Sequence, residues 1–395
     1  MRYLLVVPIP YFVSSDGSIW LNDLWLRDLR AHLDYIDDLT VLAPCGAYVG
    51  QPELKRACIP KHARLRFSPL PVSNSFPKAL LSLPKTVFRV IRAVKNSDVV
   101  HSGVAGWPIP PGLVVNPLAA LMGKPLIIVV ESAFWRVSDP ATATRRVRLR
   151  AFVTEAFAKL SIKYARLAIF TQKAYRDELK GTSKARLMVA PATWISAENT
   201  LPRQEAEALW ARQPKRPRFL LAARLIPEKG VHLALNALRA LEVNGIEVEF
   251  DIIGEGPLAD DVLKTARDFQ NVRLRLLRPT PYGAPFFRLL QRYQVVVVPS
   301  LSDEQPRIIL DAYSQSIPVI ASHTAGNRQV VDSDKTGWLF PKGDLIALAD
   351  CLTACIDDPS VLRPCGLNGL ELARSMTHEA MHLERAEVIA ELFGK

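Results

Sequence analysis

Apolar residues recur along this chain in two alternating rhythms. Short continuous runs stand at 3–8, 39–43, 98–101, 126–130, 167–171 and 186–190, as strands buried on both faces require. Between them, 18–33, 79–94, 112–122, 143–164 and 173–180 read as helices. Strands alternating with helices of this length predict parallel βαβ units. A polar, proline-containing stretch at 196–217 interrupts the rhythm and ends in RQPKRPR. The pattern then restarts, with strands at 218–223, 248–253, 272–276, 294–298, 317–321 and 338–340. Helices are predicted at 229–243, 257–268, 283–291, 306–315, 326–332 and 344–356, and a last one at 377–393. The expected fold class is α/β, two doubly wound Rossmann-like domains facing each other across a cleft lined by strand ends. The expected limits are 1–200 for the first domain, 201–216 for a linker, 217–375 for the second domain and 376–395 for a helix packing back on the first.

Length and composition agree with two cores. The 395 residues suit two domains of ordinary size, and 49% hydrophobic against 23% charged residues argues against disorder. The opening MRYLLVVPIP is too short an apolar run for a signal peptide and is broken by Pro8. The apolar stretch 108–130 is interrupted by five prolines, Asn116 and Lys124, so no membrane span is expected. Five cysteines, Cys45, Cys58, Cys351, Cys355 and Cys365, match no metal-ribbon spacing and read as free thiols of a reducing cytoplasm.

The net charge of +11 is placed unevenly. Residues 1–200 hold 27 Lys and Arg against 14 Asp and Glu, and the remainder holds 23 against 25. A basic half beside a neutral half points to an anionic partner for the first half, or to a merely soluble basic surface. Helix 143–164 combines Arg145, Arg146, Arg148, Arg150, Lys159 and Lys163 with the apolar line Leu149, Phe152, Val153, Ala156, Phe157 and Leu160. It reads either as a core helix with a charged outer side or as a membrane-surface helix. No recognised motif accompanies the basic residues to suggest nucleic acid, which is not expected as a partner.

Candidate chemistry concentrates in VVVVPSLSDEQPRIILDAYSQSIPVIAS, 295–322. Asp303 and Glu304 follow a buried strand at its carboxyl end, where open α/β sheets place ligands. Asp311 lies eight residues after Asp303, inside the next helix. Amides near Arg307, Ile308 and Ile309 would face a phosphate at that helix start. Carboxylates suit hydroxyls, so a ligand with phosphates and hydroxyls, a nucleotide sugar, fits. The competing reading is an N-capping acid beside ordinary surface acids. Earlier, ARLIPEKG sets Arg224 and Lys229 after a strand, where both can hold one diphosphate. Gly254-Glu255-Gly256-Pro257 matches a dinucleotide fingerprint only formally, because Pro257 occupies a position that needs a free N–H, and a tight turn lining the ligand site is the reading. In the first half, Glu131 and His101 stand at strand ends as candidates to orient or deprotonate an acceptor. Trp107 and Trp135 follow them and suit sugar stacking or core filling.

ARLIPEKG, IIGEGP, VPSLSDEQPRIILDA, SIPVIAS, HTAGNRQVV and TGWLFPKGD together resemble the C-terminal domain of retaining glycosyltransferases of family four, over roughly 216–345. The resemblance implies the two-Rossmann GT-B fold and a nucleoside diphosphate sugar as donor, with no cofactor and no metal. It implies that Arg224 and Lys229 contact the diphosphate, that Asp303 faces the donor sugar and Asp311 the ribose, and that Gly17 marks the glycine-rich loop after the first strand. The chain departs from the pattern: aspartates replace both paired glutamates, Glu304 stands as a rival to Asp303, and Glu131 occupies the place where the family often has His. The expected acceptor is a polysaccharide or lipid-linked intermediate, and the basic first half places it at the cytoplasmic face of a membrane with an anionic surface. A non-catalytic nucleotide-sugar-binding relative, or a GT-B epimerase or phosphorylase, is the alternative.

Overall fold

The alternation resolves into two sheets. The computed structural model describes residues 1–395 apart from 58–63, 107, 134, 137–142, 215, 305 and 395. By internal packing the chain divides into Met1–Pro191 with His382–Lys395 as one unit and Ala192–Met381 as the other.

The first unit carries β1 (Arg2–Val6), β2 (Tyr11–Val13), β3 (Ile19–Asn22), β4 (Asp38–Ala47), β5 (Leu54–Arg56), β6 (Arg64–Leu70), β7 (Val99–Gly103), β8 (Leu126–Val130), β9 (Leu167–Phe170) and β10 (Arg186–Val189). A parallel run in the order β6-β4-β1-β7-β8-β9-β10 forms its body. The predicted helix 18–33 starts only at Asp23, because Ile19–Asn22 pairs antiparallel with β2 and with β5. The Ser14–Ser18 turn closes that hairpin, Trp20 stacks on Tyr48 at 4.1 Å, and Asn22 caps the helix by accepting the Leu24 N–H at 3.1 Å.

The second unit carries β11 (Arg218–Ala222), β12 (Val248–Ile253), β13 (Val272–Leu277), β14 (Val295–Val298), β15 (Val319–Ser322) and β16 (Gly337–Phe340). All pair in parallel, in the order β13-β12-β11-β14-β15-β16. Strand order reverses between β11 and β14, so the loops after these two strands flank the switch point where ligands bind. Helices cover both faces. Phe219, Leu221, Val295 and Val297 pack on one side against Val231, Leu235 and Leu238, while Leu220, Val296 and Val298 pack on the other against Leu310 and Tyr313. Each such side chain contributes about 1.5–3 kcal/mol by leaving water.

In the first unit β2, β3, β5 and β6 are strands that the sequence pattern did not give, and in the second unit three elements differ from it. Within the expected linker, Arg203–Trp210 is a helix that buries Ala206 and whose Trp210 indole donates to Ser316 Oγ at 3.0 Å. A helix at Leu362–Ser375 packs beside it through Leu367 and Leu370. The expected helix 326–332 is a single turn, Asn327–Gln329.

The end of the last helix, His378–Phe393, joins the first unit through a buried polar cluster. His382 Nε2 lies 3.0 Å from Asp28 Oδ1, and the Tyr35 hydroxyl lies 3.2 Å from its Nδ1. The carboxylate can only accept, so the neutral ring donates from Nε2 and accepts at Nδ1. Burial first, then the nearby His32 and Arg385, pulls His382 down to about 4, against the hydrogen bond and charge of Asp28. His101, bonded to Tyr3 at 2.8 Å, is lowered by burial and by His32, Arg385 and His382. Both rings bind fewer protons folded than unfolded. Their stabilisation is therefore present above the ordinary value of 6.5 and declines as pH falls toward the folded values. Urea unfolding should show roughly 4 kcal/mol lost between pH 7 and 5, about half from each ring. His382→Gln should reduce that slope by about half, and an equal slope in the variant would refute the assignment.

Candidate active site

Three loops at the carboxyl ends of β11, β12 and β14 lock together by backbone contacts. The turn after β11 runs from Ala223 to Gly230. Its Leu225 N–H donates to Glu255 O at 2.8 Å, and the Leu301 N–H donates back to Glu228 O at 2.9 Å. Gly230 has φ +71°, and a Cβ there would lie 1.8 Å from the Pro299 carbonyl oxygen at the end of β14. Gly254 is as tight: its Cβ would lie 1.9 Å from Ala223 O. These contacts explain why the turn needs glycine, and they place Lys229 beside the loop that carries the acids.

Lys229 is half-buried, and its Nζ lies 3.9 Å from Glu304 Oε2. Burial pulls the ammonium below its ordinary range; Glu304 opposes that, and the charge of Arg224 reinforces it. Arg224 is exposed and pairs with no acid among the described residues. Two cations thus stand near one another with the carboxylates of Glu304 and Glu228 close by, and Arg224, having no acid partner among the described residues, is available to a diphosphate. Asp303 points elsewhere: it is exposed and lies 3.8 Å from Lys342, in the loop after β16. The two neighbouring acids therefore belong to different cations.

The helix after this loop, Ile308–Ser314, buries Asp311 at 5% exposure, with the Tyr282 hydroxyl donating to Oδ1 at 2.8 Å. Burial raises its pKa to about 7, against the Tyr282 bond and the Arg307 charge. The ribose contact expected of Asp311 thus meets a carboxyl already turned inward onto a tyrosine. The Ile309 N–H, expected to face phosphate, lies 3.4 Å from Pro306 O, while Ile308 is half-buried and Arg307 is exposed. The Arg307 guanidinium sits 5.6 Å over the Trp194 ring, which stacks on His378 at 5.4 Å.

The first unit treats its candidates differently. Gly17, with φ +80°, is the tip of the β2–β3 hairpin and not a strand-to-helix phosphate loop, because β2 and β3 intervene between β1 and the first helix. His101 stands within β7, buried and bonded to Tyr3, so it cannot meet an acceptor. Trp135 is buried, and its indole donates to Glu155 Oε2 at 3.2 Å, which makes it core and not a sugar platform. Glu131 is exposed just after β8, its carbonyl accepting from the Thr171 hydroxyl at 2.8 Å. Trp107 lies outside the described residues.

The family model for glycosyl transferases group 1 matches residues 216–358. This stretch is similar to a group 1 glycosyl transferase domain. It contains every loop of the charged site described above. The α-D-kanosaminyltransferase of Streptomyces kanamyceticus is 24% identical over 62% of this chain and 64% of its own length. The UDP-Gal:α-D-GlcNAc-diphosphoundecaprenol α-1,3-galactosyltransferase of Escherichia coli is 30% identical over 35% of this chain and 36% of its own. The matches thus span from about a third to just under two thirds of these curated relatives. Anabaena Alr3699/HepE, solved with UDP-glucose, superposes with a TM-score of 0.66 at 16% identity, over 99% of this chain and 100% of that one. Likeness at that identity carries the fold, which is GT-B.

Sequence reasoning did not single out Lys342, Tyr282 or Trp194 in the matched stretch and its flank. Lys342 sits in the quoted TGWLFPKGD, but nothing local signals that β16 brings it to Asp303. Two outcomes follow. Gly230→Ala should lower stability by several kcal/mol, read by denaturant unfolding, since a Cβ meets a backbone carbonyl at a left-handed position; a change under about 0.5 kcal/mol would contradict the packing. Asp311 carries a penalty that is complete above about pH 7 and vanishes below its ordinary value of 3.8. Asp311→Asn should therefore raise the melting temperature at pH 8 more than at pH 5.

Proposed function

We propose that the chain is a retaining glycosyltransferase that moves a sugar from a nucleoside diphosphate sugar to the hydroxyl of a lipid-linked saccharide at the cytoplasmic face of a membrane. The observation that carries this reading is the pinned turn that sets Arg224 and half-buried Lys229 together with Glu304 nearby. Cations held so rigidly stabilise charge as it grows on a leaving group, and one such interaction is typically worth about 3–4 kcal/mol. In the proposed step the bond from the anomeric carbon to the β-phosphate oxygen breaks, and its electron pair leaves with the diphosphate. The acceptor oxygen attacks from the same face and gives its proton to the departing phosphate oxygen. Arg224 and Lys229 take the diphosphate charge, so the donor needs no bound metal or cofactor. Glu304, rather than Asp303, faces the donor sugar, because Glu304 lies beside Lys229 of the pinned turn while Asp303 lies beside Lys342, outside it. Glu131 orients the acceptor hydroxyl. Support for the donor class comes from the group 1 model and from the UDP-glucose in the Anabaena structure.

A groove in the first unit favours a lipid-linked acceptor over a free polysaccharide. It lies at the carboxyl ends of β1, β4 and β6, is open to solvent, and is lined mainly by apolar residues, Pro8, Pro44, Leu70, Leu83, Ile109 and Val114 among them. Such a lining suits an alkyl or isoprenoid segment better than a sugar. The E. coli relative is named for a diphosphoundecaprenol acceptor.

Arg224→Ala and Lys229→Ala should each weaken binding of UDP at least tenfold, with uridine binding unchanged, and lower turnover about 10²-fold. Glu304→Gln should reduce turnover far more than Asp303→Asn. Full turnover in Arg224→Ala, or donor binding with no transfer to any lipid-linked acceptor, would overturn the reading. Activity should persist in excess EDTA.

A further inference from the structure

Two helices of the first unit turn apolar residues outward. Helix Arg145–Tyr164 buries Ala158, Ser161 and Ile162 against its unit. Its apolar line lies on the opposite side: Phe152 is 73% exposed, Leu149 64%, and Val153 and Leu160 more than half. The core-helix reading would have buried these residues. Helix Phe76–Lys95 does the same, with Leu81 84% and Phe88 66% exposed and Leu80 and Ile91 beside them, while Ala79, Val90 and Val94 face inward. The two helices lie on one face of the sheet, since helix Gly112–Leu121 packs against both and the Arg150 guanidinium sits 5.9 Å over the Phe76 ring.

Charge on this face has one sign. The two helices together hold eleven Lys and Arg and a single acid, Glu155, which is taken up by Arg136 at 3.0 Å and Lys159 at 3.3 Å. Their net +10 is nearly the whole +11 of the chain. Exposed apolar rows flanked by cations that far outnumber acids suit one environment, in which hydrocarbon accepts the rings and anionic headgroups accept the charges. Water alone satisfies only the second requirement.

We propose that helices Phe76–Lys95 and Arg145–Tyr164 form the docking surface of this protein for an anionic lipid bilayer. The apolar side chains enter the headgroup boundary, and the cations pair with lipid phosphates. No helix among the described residues is long and apolar enough to cross a membrane, so the contact is interfacial. Helix Phe76–Lys95 lends its inward Leu83 to the apolar groove and its outward Leu81 to this face, which joins the surface to the proposed acceptor site. The inference deepens the acceptor side of the proposed function and rests on that reading only for its purpose, because docking needs neither donor nor transfer.

The full chain, sedimented with vesicles of phosphatidylcholine containing 40% phosphatidylglycerol, should partition at least tenfold more strongly than with pure phosphatidylcholine. Raising the salt should release it. Phe88→Ser with Phe152→Ser should cut partitioning about tenfold, and Arg145→Glu with Arg148→Glu at least as much. All four positions are exposed, so melting temperature and UDP binding should stay as in the parent chain. Equal binding to both vesicles, binding to neither, or a dimer that the serine substitutions dissociate would overturn the proposal. UDP binding measured alongside separates its failure from failure of the transfer reading.

Discussion

The Pro299 carbonyl governs the chemistry of the second unit. β14 is buried on both faces, so its end cannot shift without disturbing the cores on either side. Only a glycine fits against that carbonyl, and only a left-handed residue turns the chain there into the following helix. Lys229 is therefore held by a rigid backbone contact instead of its own flexible stem. A lysine free on a surface would lose side-chain entropy on gripping a phosphate. Here part of that ordering, and part of the desolvation, has already occurred in folding.

The two units use positive charge in opposite ways. In the second, a few cations are fixed against backbone and held near carboxylates, which suits a compact ligand of defined shape. In the first, many cations stand around exposed apolar rows with a single acid among them. That arrangement has no fixed geometry and suits an extended surface. Pinning makes a positive charge selective, and exposure makes it adhesive.

Much of the scaffold was legible in the chain. Short runs of valine, leucine and isoleucine bounded by turn residues read as strands buried on both sides, and β1, β8 and β14 stand where those runs stand. Helix Arg203–Trp210 was hidden by flanking prolines and by its short apolar period. Ile19–Asn22 was absorbed into a helix because four residues carry too little periodicity to separate from it. Of the site, the glycines and cations of ARLIPEKG were legible because close backbone approach and anion binding each need one residue type. The inward turn of Asp311 onto Tyr282 was not, because the two residues lie 29 positions apart.

The sequence by itself determined that the chain builds two doubly wound sheets, that charge is concentrated in its first half, and that a cationic turn and an acidic loop follow strands of one sheet. These are properties of local pattern and count, which hydrophobic periodicity and composition carry directly. Only the tertiary structure decided which acid meets which cation, that His101 and Trp135 are buried, and that the apolar line of helix Arg145–Tyr164 faces outward. A helical period states that a face exists but not what covers it. That depends on which side the neighbouring elements occupy, and no single helix encodes it.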